Sequence, residues 1–485
     1  MGAPIGGRAE LAKELRAGQM FTLAFGAIIG AGWLTVIGQS WLRQAGPMGA
    51  VLAFVGGGLI MMVVGLCYAE MATMVPASGG EMAFAYDVFG LRTCFAMGWL
   101  LVLVYIATTA FEAIAIAWIL GAIFPGIQGP TLYLVRGDPV QLGTLLLGVG
   151  GTVLLTILNY RGVKSAATFQ DFCTYALIVL SIVFISSSLL LGKVDNMRPL
   201  FVTGESGSAL RGIMAVFVTT PFWYGGFNIV PQVMEEKAPG ASARRAGQFI
   251  VLSVLVALVY YCLVIVAASM PIPWRQLLSL ELPTAQVFRV AFRSEVLAQA
   301  VLWAGVFGII DTMSPVFLAA SRVLFALGRA RIILPGMAHV HPRFGSPTAA
   351  VILVGIISAA TIFLGRAMIV PFATVGAICF ATGYLLTCLG VIRLRRTQPD
   401  RPRPYRMVGG VPMATLGVLG SLFVLFMAIY QPYADAAGRF PIEWTVLIGW
   451  IVLGAIFWAL ARKTRLSTNE AERRVLIVGP TRGSV

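Results

Sequence analysis

Long apolar runs recur along almost the whole chain, and they constrain its fold more than any other feature. Hydrophobic residues make up 58% of the 485 residues and charged residues only 11%, whereas a soluble domain usually carries about 25% charged residues. Because about 20 apolar residues cross the hydrocarbon core of a bilayer, these runs predict an all-α polytopic membrane protein with about 12 transmembrane helices. The predicted spans are residues 20–41, 48–70, 95–124, 139–159, 166–192, 210–234, 247–270, 296–325, 347–365, 368–392, 412–432 and 441–461.

The placement of basic residues predicts the orientation of these spans. If residue 1 lies in the cytoplasm, an even number of spans returns the end of the chain to the same side. Most of the 35 Lys and Arg residues then fall in cytoplasmic segments, which is the distribution that the positive-inside rule describes. We therefore expect a multi-pass protein of the cytoplasmic (plasma) membrane with both termini in the cytoplasm.

The net charge of +15 does not indicate nucleic acid binding, because the basic residues flank the predicted spans. Six arginines between residues 393 and 406 suit contact with anionic membrane lipid. The six cysteines are scattered without a C-x-x-C pair, and two histidines, His339 and His341, are too few for a metal site. No metalloprotease, nucleophile-elbow or P-loop motif occurs, so we expect no enzyme activity, no ATP-driven pumping and no cofactor.

Two predicted spans contain residues that interrupt helices. Span 1 has a glycine cluster at residues 26–32, and span 6 carries Gly225 and Gly226 between Pro221 and Pro231. Because proline removes a backbone donor and glycine frees the backbone, we expect both helices to unwind there. Bared N–H groups suit a carboxylate and bared C=O groups suit an ammonium or a cation. Two facing breaks near the midplane would therefore form a site for a zwitterion.

The breaks recur five spans apart, which favours an inverted repeat. Two units of five spans have opposite topology, as in transporters built from inverted repeats. We predict a first repeat at residues 20–192 and a second at 210–392, followed by two further spans at 412–461. Close helix packing through a G-x-x-x-G face, Gly26 to Gly30, is the alternative interpretation of span 1.

Short motifs spread from residue 26 to about residue 412 resemble, in their order, permeases of the amino acid–polyamine–organocation superfamily, which share the leucine-transporter-type fold. The motifs are Gly26–Gly32, Tyr68–Met71, Pro76–Glu81, Phe89–Gly90, Gly98–Trp99, Asn159–Lys164, Gly226–Phe227, Glu235–Glu236, Pro239, Ser321–Leu324, Arg329, Pro335, His341–Arg343, Pro347, Arg403–Arg406 and Pro412. The resemblance implies one transporter domain at 20–462, with a lead-in at 1–19 and a tail at 463–485. It also implies alternating access for amino acids or related small amines.

The resemblance implies that the substrate binds at the two breaks. In relatives, backbone amides of span 1 meet the substrate carboxylate, and carbonyls of both breaks meet its amine. An aromatic residue of span 6 gates the site in relatives, and Phe222 occupies that position here. Asn228 occupies the position of an acidic or polar residue in some relatives. The implied binding residues are Ala27, Ile28, Gly30, Ala31, Gly32, Phe222, Gly225, Gly226 and Asn228.

One departure from the family leaves the coupling ion open. Many proton-coupled relatives carry a lysine within span 5, but no Lys or Arg occurs here between Lys164 and Lys193. Asp311, with Thr312 and Ser314 beside it, falls where the fold's second sodium site takes hydroxyls of span 8. A bare charge at the bilayer centre is costly, and we expect no basic side chain deep in a span to pair with Asp311. We therefore predict that Asp311 carries a proton, with a role in sodium binding or a structural hydrogen bond as the alternatives.

Glu112 in span 3 is the other deep carboxylate, interpreted either as a counter-ion for a substrate amine or as a packing hydrogen bond. A predicted pocket of Trp33, Trp223, Tyr224 and Phe317 favours neutral substrates, whereas the carboxylates favour cationic amines. The alternatives to a proton-coupled importer or exchanger are a sodium-coupled or exchange-only permease for polyamines or amino alcohols, and a non-transporting nutrient receptor. The expected partners are a small molecule and membrane lipid, and the oligomeric state is open.

Overall fold

The computed structural model describes residues 9–30, 32–124, 126–203, 208–280, 282–435 and 438–479. Helices dominate these ranges. In chain order they are α1 (Ala17–Ile28), α2 (Gly32–Thr35), α3 (Arg43–Met74), α4 (Glu81–Phe89), α5 (Leu91–Ile123), α6 (Leu142–Tyr160), α7 (Val163–Leu191), α8 (Leu210–Phe217), α9 (Thr220–Trp223), α10 (Ile229–Val233), α11 (Ala243–Ser269), α12 (Trp274–Leu277), α13 (Pro283–Phe292), α14 (Glu295–Arg329), α15 (Thr348–Ile362), α16 (Ile369–Thr397), α17 (Gly410–Asp435), α18 (Ile442–Leu460), α19 (Arg462–Leu466) and α20 (Glu470–Val478).

Ten helical stretches among the described residues are long and apolar enough to cross a membrane. Two shorter apolar stretches, at 210–223 and 348–362, coincide with predicted spans 6 and 9. The first is short because span 6 is interrupted, and the second because α15 has only 15 residues, fewer than the 17–25 of an ordinary span. The polytopic helical fold is therefore confirmed, while the count of about 12 spans and the inverted repeat stay predictions.

Both predicted breaks are present. The first helix ends at Ile28 and α2 begins at Gly32, and the backbone at Ile29 (φ −94°, ψ 80°) is not helical. In span 6, α9 ends at Trp223 and α10 begins at Ile229. A π-helical turn, Ile37–Leu42, then joins span 1 directly to α3, so the predicted loop between spans 1 and 2 is replaced by a kink at Gly46 (φ 74°).

Two helices, α5 and α14, form the centre of the bundle. They pack against each other, and α14 also contacts α1 and α7. Both are mostly buried, whereas α18 buries only Gly454 among its described residues. The remaining side chains of α18 are mostly apolar and exposed, which is the pattern of a helix that faces lipid.

A small β-hairpin departs from the all-α prediction. Strand β1 (Thr131–Val135) pairs antiparallel with β2 (Asp138–Gln141), and β2 takes up the first residues of predicted span 4. The turn consists of Arg136 (φ 51°) and Gly137 (φ 93°). Two consecutive residues with positive φ form the turn that best fits the twist of a two-residue hairpin.

The two described ends of the chain lie on one face of the bundle, called here the terminal face. Near the start, the amide of Leu15 donates a 2.9 Å hydrogen bond to the carbonyl of Glu236. Near the end, Tyr86 of α4 donates a 2.6 Å hydrogen bond to Glu470 of α20. Both ends also reach the end of α14, because its last residue, Arg329, contacts Ala9, and Arg331, two residues beyond it, pairs with Glu472.

Candidate functional site

The two breaks enclose a central cavity of about 30 Å³, which holds about one water molecule. Its lining combines backbone of both breaks with side chains of α5, α14 and α16. The lining residues are Ala27, Ile28, Gly30, Gly32, Thr108, Phe111, Glu112, Phe222, Trp223, Gly225, Gly226, Ile229, Thr312, Val316 and Phe380. The structure thus brings together seven of the nine residues that the sequence predicted for substrate binding.

Glycine is required where the breaks touch. A Cβ on Gly226 (φ 145°) would lie 2.6 Å from the carbonyl carbon of Ala27, and a Cβ on Gly32 would lie 2.5 Å from the Trp223 ring. Real Cβ atoms do not approach other atoms this closely. The absence of side chains therefore lets the two opened backbones face each other at contact distance.

One hydroxyl group serves the carbonyls of both breaks. The Oη atom of Tyr261, on α11, lies 2.8 Å from the carbonyl oxygen of Ile28 and 3.0 Å from that of Trp223. Unwinding removes the helical partners of such carbonyls, and a buried carbonyl needs a replacement. Tyr261 supplies such a partner to both carbonyls and links the two breaks, and the Ile28 carbonyl also accepts a 3.2 Å hydrogen bond from the Gly30 amide.

Glu112 reaches the cavity from α5 and lies directly beside the break of span 1. A Cβ on Gly30 would collide with Glu112 Oε1 and would lie 2.9 Å from Thr312 Oγ1. Thr312 also donates a 2.9 Å hydrogen bond to the carbonyl of Gly26. The described lining of the cavity therefore contains one carboxyl group and the two hydroxyl groups of Thr108 and Thr312 among aromatic and aliphatic side chains.

A much larger cavity, the vestibule, opens towards the face opposite the termini. Its volume is about 920 Å³, within the range of sites for small molecules. Phe111, Phe222 and Trp223 line both the vestibule and the central cavity. These three aromatic side chains therefore form the partition between them, and the predicted gate residue Phe222 belongs to this partition.

Asp311 lies behind the cavity at the junction of α14, α7 and α1. Its Oδ1 atom accepts a 2.6 Å hydrogen bond from Thr174 Oγ1 and a short one from Gln170 Nε2, which also donates to the Asp311 carbonyl at 2.6 Å. A Cβ on Gly26 would lie 2.5 Å from Asp311 Cγ. Asp311 Oδ2 is buried without a hydrogen-bond partner among the described residues.

Three predicted site residues, Ala31, Asn228 and Ser314, are not among the described lining of the central cavity. Ala31 is outside the described residues. Asn228 and Ser314 are buried but do not line the central cavity as far as the structure describes it. Asn228 was predicted to bind substrate, but its Oδ1 accepts a 3.1 Å hydrogen bond from the amide of Gly226 and its Nδ2 points away from the cavity, to Tyr105 and Glu81.

The predicted aromatic pocket is wrong for three of its four members. Only Trp223 lines the cavity. Trp33 packs against Phe184 with ring centroids 5.6 Å apart, and Tyr224 donates a 3.0 Å hydrogen bond to the carbonyl of Phe54. Phe317 is fully buried within α14, away from the described lining. Trp33 and Tyr224 lie beside the breaks, where short helical segments turn neighbouring side chains to faces that sequence spacing does not reveal.

Several buried charges escaped the sequence analysis. Only Glu112 and Asp311 were expected deep in the protein, but Glu70, Glu81, Glu235 and Glu236 are also buried. Arg322, near the end of predicted span 8, is fully buried as well, and it pairs with Glu236 rather than with Asp311. The sequence did contain one signal for these ion pairs. Glu235 and Glu236, and the arginines Arg322 and Arg329, all belong to motifs that the chain shares with the permeases it resembles.

Ion pairs between arginines and buried carboxylates cluster on the terminal face, and this cluster is called here the ion-pair gate. Arg322 binds Glu236 through two hydrogen bonds of 2.7 and 2.8 Å, and both side chains are 0% exposed. Arg329 binds Glu235 in the same way at 2.6 and 2.8 Å. Two further clusters of this gate join Glu70 to Arg395 and Arg403, and Asp87 to Arg401 and Arg474.

The comparisons with known proteins agree with this geometry. Residues 18–457 match the family described as amino acid permease. The chain belongs to the amino acid permease family. Like other members of this family it is a multi-pass integral membrane protein of the transporter class, and the prediction that it is not an enzyme is confirmed.

Three relatives illustrate the range of the family. The permease is 28% identical to the branched-chain amino acid permease BcaP of Bacillus subtilis over 96% of this chain and 97% of that protein. It is 25% identical to the methylthioribose transporter of Bacillus subtilis, over 95% and 96%. It is 27% identical to the large neutral amino acids transporter small subunit 2 of Mus musculus, over 89% and 78%.

Proposed function

We propose that this permease is a secondary active transporter that imports or exchanges an amino acid or related small amine by alternating access, coupled to protons through Asp311. The observation that carries the proposal is the central cavity between the two broken spans, closed by ion pairs towards one face and by three aromatic side chains towards the other. Such a site is exposed to one side at a time when either closure opens.

The substrate class follows from the lining of the cavity. Backbone N–H and C=O groups at such breaks bind the carboxylate and the amine that all amino acids share. At the span 1 break the Gly30 amide, which donates a 3.2 Å hydrogen bond to the Ile28 carbonyl, would exchange this local partner for the substrate. Phe111, Phe222, Trp223 and Phe380 suit an apolar side chain. The names of several relatives, which specify branched-chain or large neutral amino acids, support a neutral amino acid as the first candidate.

The central cavity is closed differently towards the two faces of the bundle, and this difference indicates the conformational state of the transporter. The vestibule reaches the aromatic partition, whereas the terminal face carries the ion-pair gate. With both termini in the cytoplasm of the cell, as the basic loops predict, this arrangement is outward-facing with its substrate site closed. Movement of Phe222 and Trp223 would join the cavity to the vestibule and admit a substrate.

The hydrogen bonds of Asp311 favour a proton over sodium as the coupling ion. Hard cations are held by oxygen atoms, but the Oδ1 and carbonyl oxygens of Asp311 both face the amide nitrogen of Gln170. The unpartnered Oδ2 atom is the position for a proton. Since Asp311 contacts α7 and lies against Gly26 of α1, gain or loss of that proton acts on span 1 directly.

Uptake by the purified protein in liposomes tests the proposal. We expect saturable uptake of labelled L-leucine that an inward pH gradient drives and a sodium gradient does not. Asp311→Asn should abolish gradient-driven uptake but leave leucine counterflow, because the substrate cavity stays intact. Glu10→Gln, which changes an exposed carboxylate paired with Lys13, is the matched control and should transport normally.

The opposing outcomes are distinct. Full gradient-driven uptake by Asp311→Asn, or uptake driven by sodium alone, would overturn proton coupling. Absence of any saturable uptake, with leucine still protecting the protein from thermal unfolding, would favour a nutrient receptor.

A second candidate substrate is an amine without a carboxylate, such as a polyamine or amino alcohol. The position of Glu112 beside Gly30 favours it, because this carboxyl group occupies the place where backbone amides would bind a substrate carboxylate. Competition of labelled leucine by putrescine distinguishes the two. If putrescine competes and Glu112→Gln removes that competition, Glu112 is the counter-ion of an amine.

A further inference from the structure

Glu81, the first residue of α4, is a buried carboxyl group that the mechanism above does not use. It is 2% exposed and lies in the segment between α3 and α5, towards the terminal face. Its Oε1 atom accepts a 3.1 Å hydrogen bond from Asn228 Nδ2, and its Oε2 atom accepts a short one from Gln232 Nε2. Glu81 therefore joins α4 to the second half of the broken span 6.

The surroundings of Glu81 differ from those of the other buried carboxylates of this face. Glu70, Glu235 and Glu236 are each bound by arginine, but no ion pair among the described residues includes Glu81. The titratable groups that face it are three tyrosines on three helices, Tyr68 of α3, Tyr105 of α5 and Tyr384 of α16, and the other facing groups are the neutral amides of Asn228 and Gln232.

A proton on Glu81 has an acceptor within this cluster. The carboxylate accepts hydrogen bonds, whereas a protonated carboxyl group must also donate one. Gln232 Oε1 is buried without a hydrogen-bond partner among the described residues. Rotation of the Gln232 amide would present this oxygen to a protonated Glu81, and the cluster can therefore satisfy either form of the carboxyl group.

The cluster is connected to the substrate cavity through a single side chain. Asn228 donates to Glu81 and to Tyr105 at one end, at 3.1 and 2.9 Å, and accepts from the Gly226 amide at the other end, at 3.1 Å. Gly226 touches Ala27 at the junction of the two breaks. A change at Glu81 thus reaches the substrate site in two steps.

We propose that Glu81 is a second proton-binding site, distinct from Asp311, that controls the opening of the terminal-face gate. The neutral form favours the closed gate, in which Glu81 is buried beside Asn228 and Gln232. The ionised form favours a state in which water reaches Glu81 and α10 separates from α4. The gating role rests on the proposed transport function, whereas the proton site stands on the buried cluster alone.

Electrostatics supports this direction. Burial raises the pKa of Glu81 to about 7, against the lowering effect of the hydrogen bonds from Asn228 and Gln232. A state that binds a proton more tightly is favoured as the pH falls. The closed gate therefore gains population below neutral pH and loses it above.

Infrared titration of the full-length protein in detergent tests the proton site without any substrate. A carboxyl C=O absorption should fall from about 90% to about 10% of its amplitude between pH 6 and pH 8, as for a single site near 7. Glu81→Gln should remove this component, and Glu10→Gln and Asp311→Asn should retain it. A component that persists in Glu81→Gln, or the absence of any carboxyl titrating between pH 6 and 8, overturns the proposal.

Hydrogen exchange measured by mass spectrometry tests the gate. After correction for the intrinsic pH dependence of exchange, residues 229–233 should exchange at least threefold faster at pH 8 than at pH 6 in the wild-type protein, and equally fast at both in Glu81→Gln. Equal protection at both pH values in the wild type would overturn the gating role. Failure of leucine uptake would contradict the proposed function but leave the infrared result standing.

Discussion

The hydroxyl group of Tyr261 donates a 2.8 Å hydrogen bond to the backbone carbonyl of Ile28. The same oxygen atom lies 3.0 Å from the carbonyl of Trp223, so one proton is shared between the ends of two interrupted helices. Because a hydroxyl has only one proton to donate, the two carbonyls compete for it. Any change in the separation of the breaks alters which carbonyl it satisfies.

Tyr261→Phe should therefore weaken the junction of the two breaks. Loss of the hydroxyl removes this donor from both carbonyls. The Ile28 carbonyl keeps its bond from the Gly30 amide, and leaving the buried Trp223 carbonyl without this donor costs about 1–3 kcal/mol. We expect a lower unfolding temperature in detergent and a slower uptake of leucine. Tyr260→Phe is the matched control, since the Tyr260 hydroxyl has only the Ser181 hydroxyl as a hydrogen-bond partner among the described residues, at 3.1 Å. Equal behaviour of the two variants would contradict the role given to Tyr261.

Gly26→Ala should disrupt the Asp311 site by overpacking. The added methyl group would lie 2.5 Å from Asp311 Cγ and would also collide with Gln170, and forced overpacking of a buried site costs about 1–3 kcal/mol. Gly18→Ala in the same helix meets no atom within 4 Å and should be neutral or slightly stabilising. Unfolding temperatures measure the difference, and a tolerated alanine at position 26 would show that the Asp311 site is looser than described.

The buried and exposed arginine pairs should respond differently to the same substitution. Arg322 binds Glu236 with both side chains 0% exposed, and Arg289 binds Glu295 in the same two-bond geometry at the surface. Glu236→Gln leaves a buried charge uncompensated, which costs about 3–5 kcal/mol, whereas Glu295→Gln should barely change the unfolding temperature. If both variants unfolded at the wild-type temperature, the description of Arg322 and Glu236 as a buried ion pair would be wrong.

The stability of the protein should depend on pH through Glu81. The ordinary pKa of 4.5 rises to about 7 on burial, so between these values the folded protein binds a proton that the unfolded chain has lost. Stability is then highest below pH 4.5, falls by roughly 3 kcal/mol as the pH rises to 7, and levels off above. The difference between wild type and Glu81→Gln, measured from pH 4.5 to 8 with Glu10→Gln as reference, isolates this contribution.

Features that act locally were readable from the sequence. Gly26, Gly30 and the Gly225-Gly226 pair predicted the helix breaks, because glycine and proline alter the backbone wherever they stand. Glu112 and Asp311 were conspicuous as lone carboxylates in long apolar runs. The structure places Glu112 at the cavity and Asp311 behind it, although what each does there stays a prediction.

Features that depend on distant partners were not readable. Glu81 stands in a short polar segment, and its burial arises from Asn228 and Gln232, which are 147 and 151 residues away. Tyr261 is one aromatic residue among many in the apolar helix α11, and its sequence neighbours do not indicate that its hydroxyl contacts two backbone carbonyls. The mistaken placement of Trp33 and Tyr224 has a related origin, because the breaks rotate each half-helix independently. Phe317 belongs to the continuous helix α14 and lies away from the described lining.

Asp87 forms ion pairs with two arginines, Arg401 from the loop after α16 and Arg474 from α20. Helix α4, which carries both Asp87 and Glu81, is thereby tied to the last described helix of the chain. We therefore expect α20 to move together with α4 if α4 is displaced during the transport cycle. The fluorescence of a label on α20 should then change during transport, and a bulky affinity tag fused after α20 should lower the transport rate.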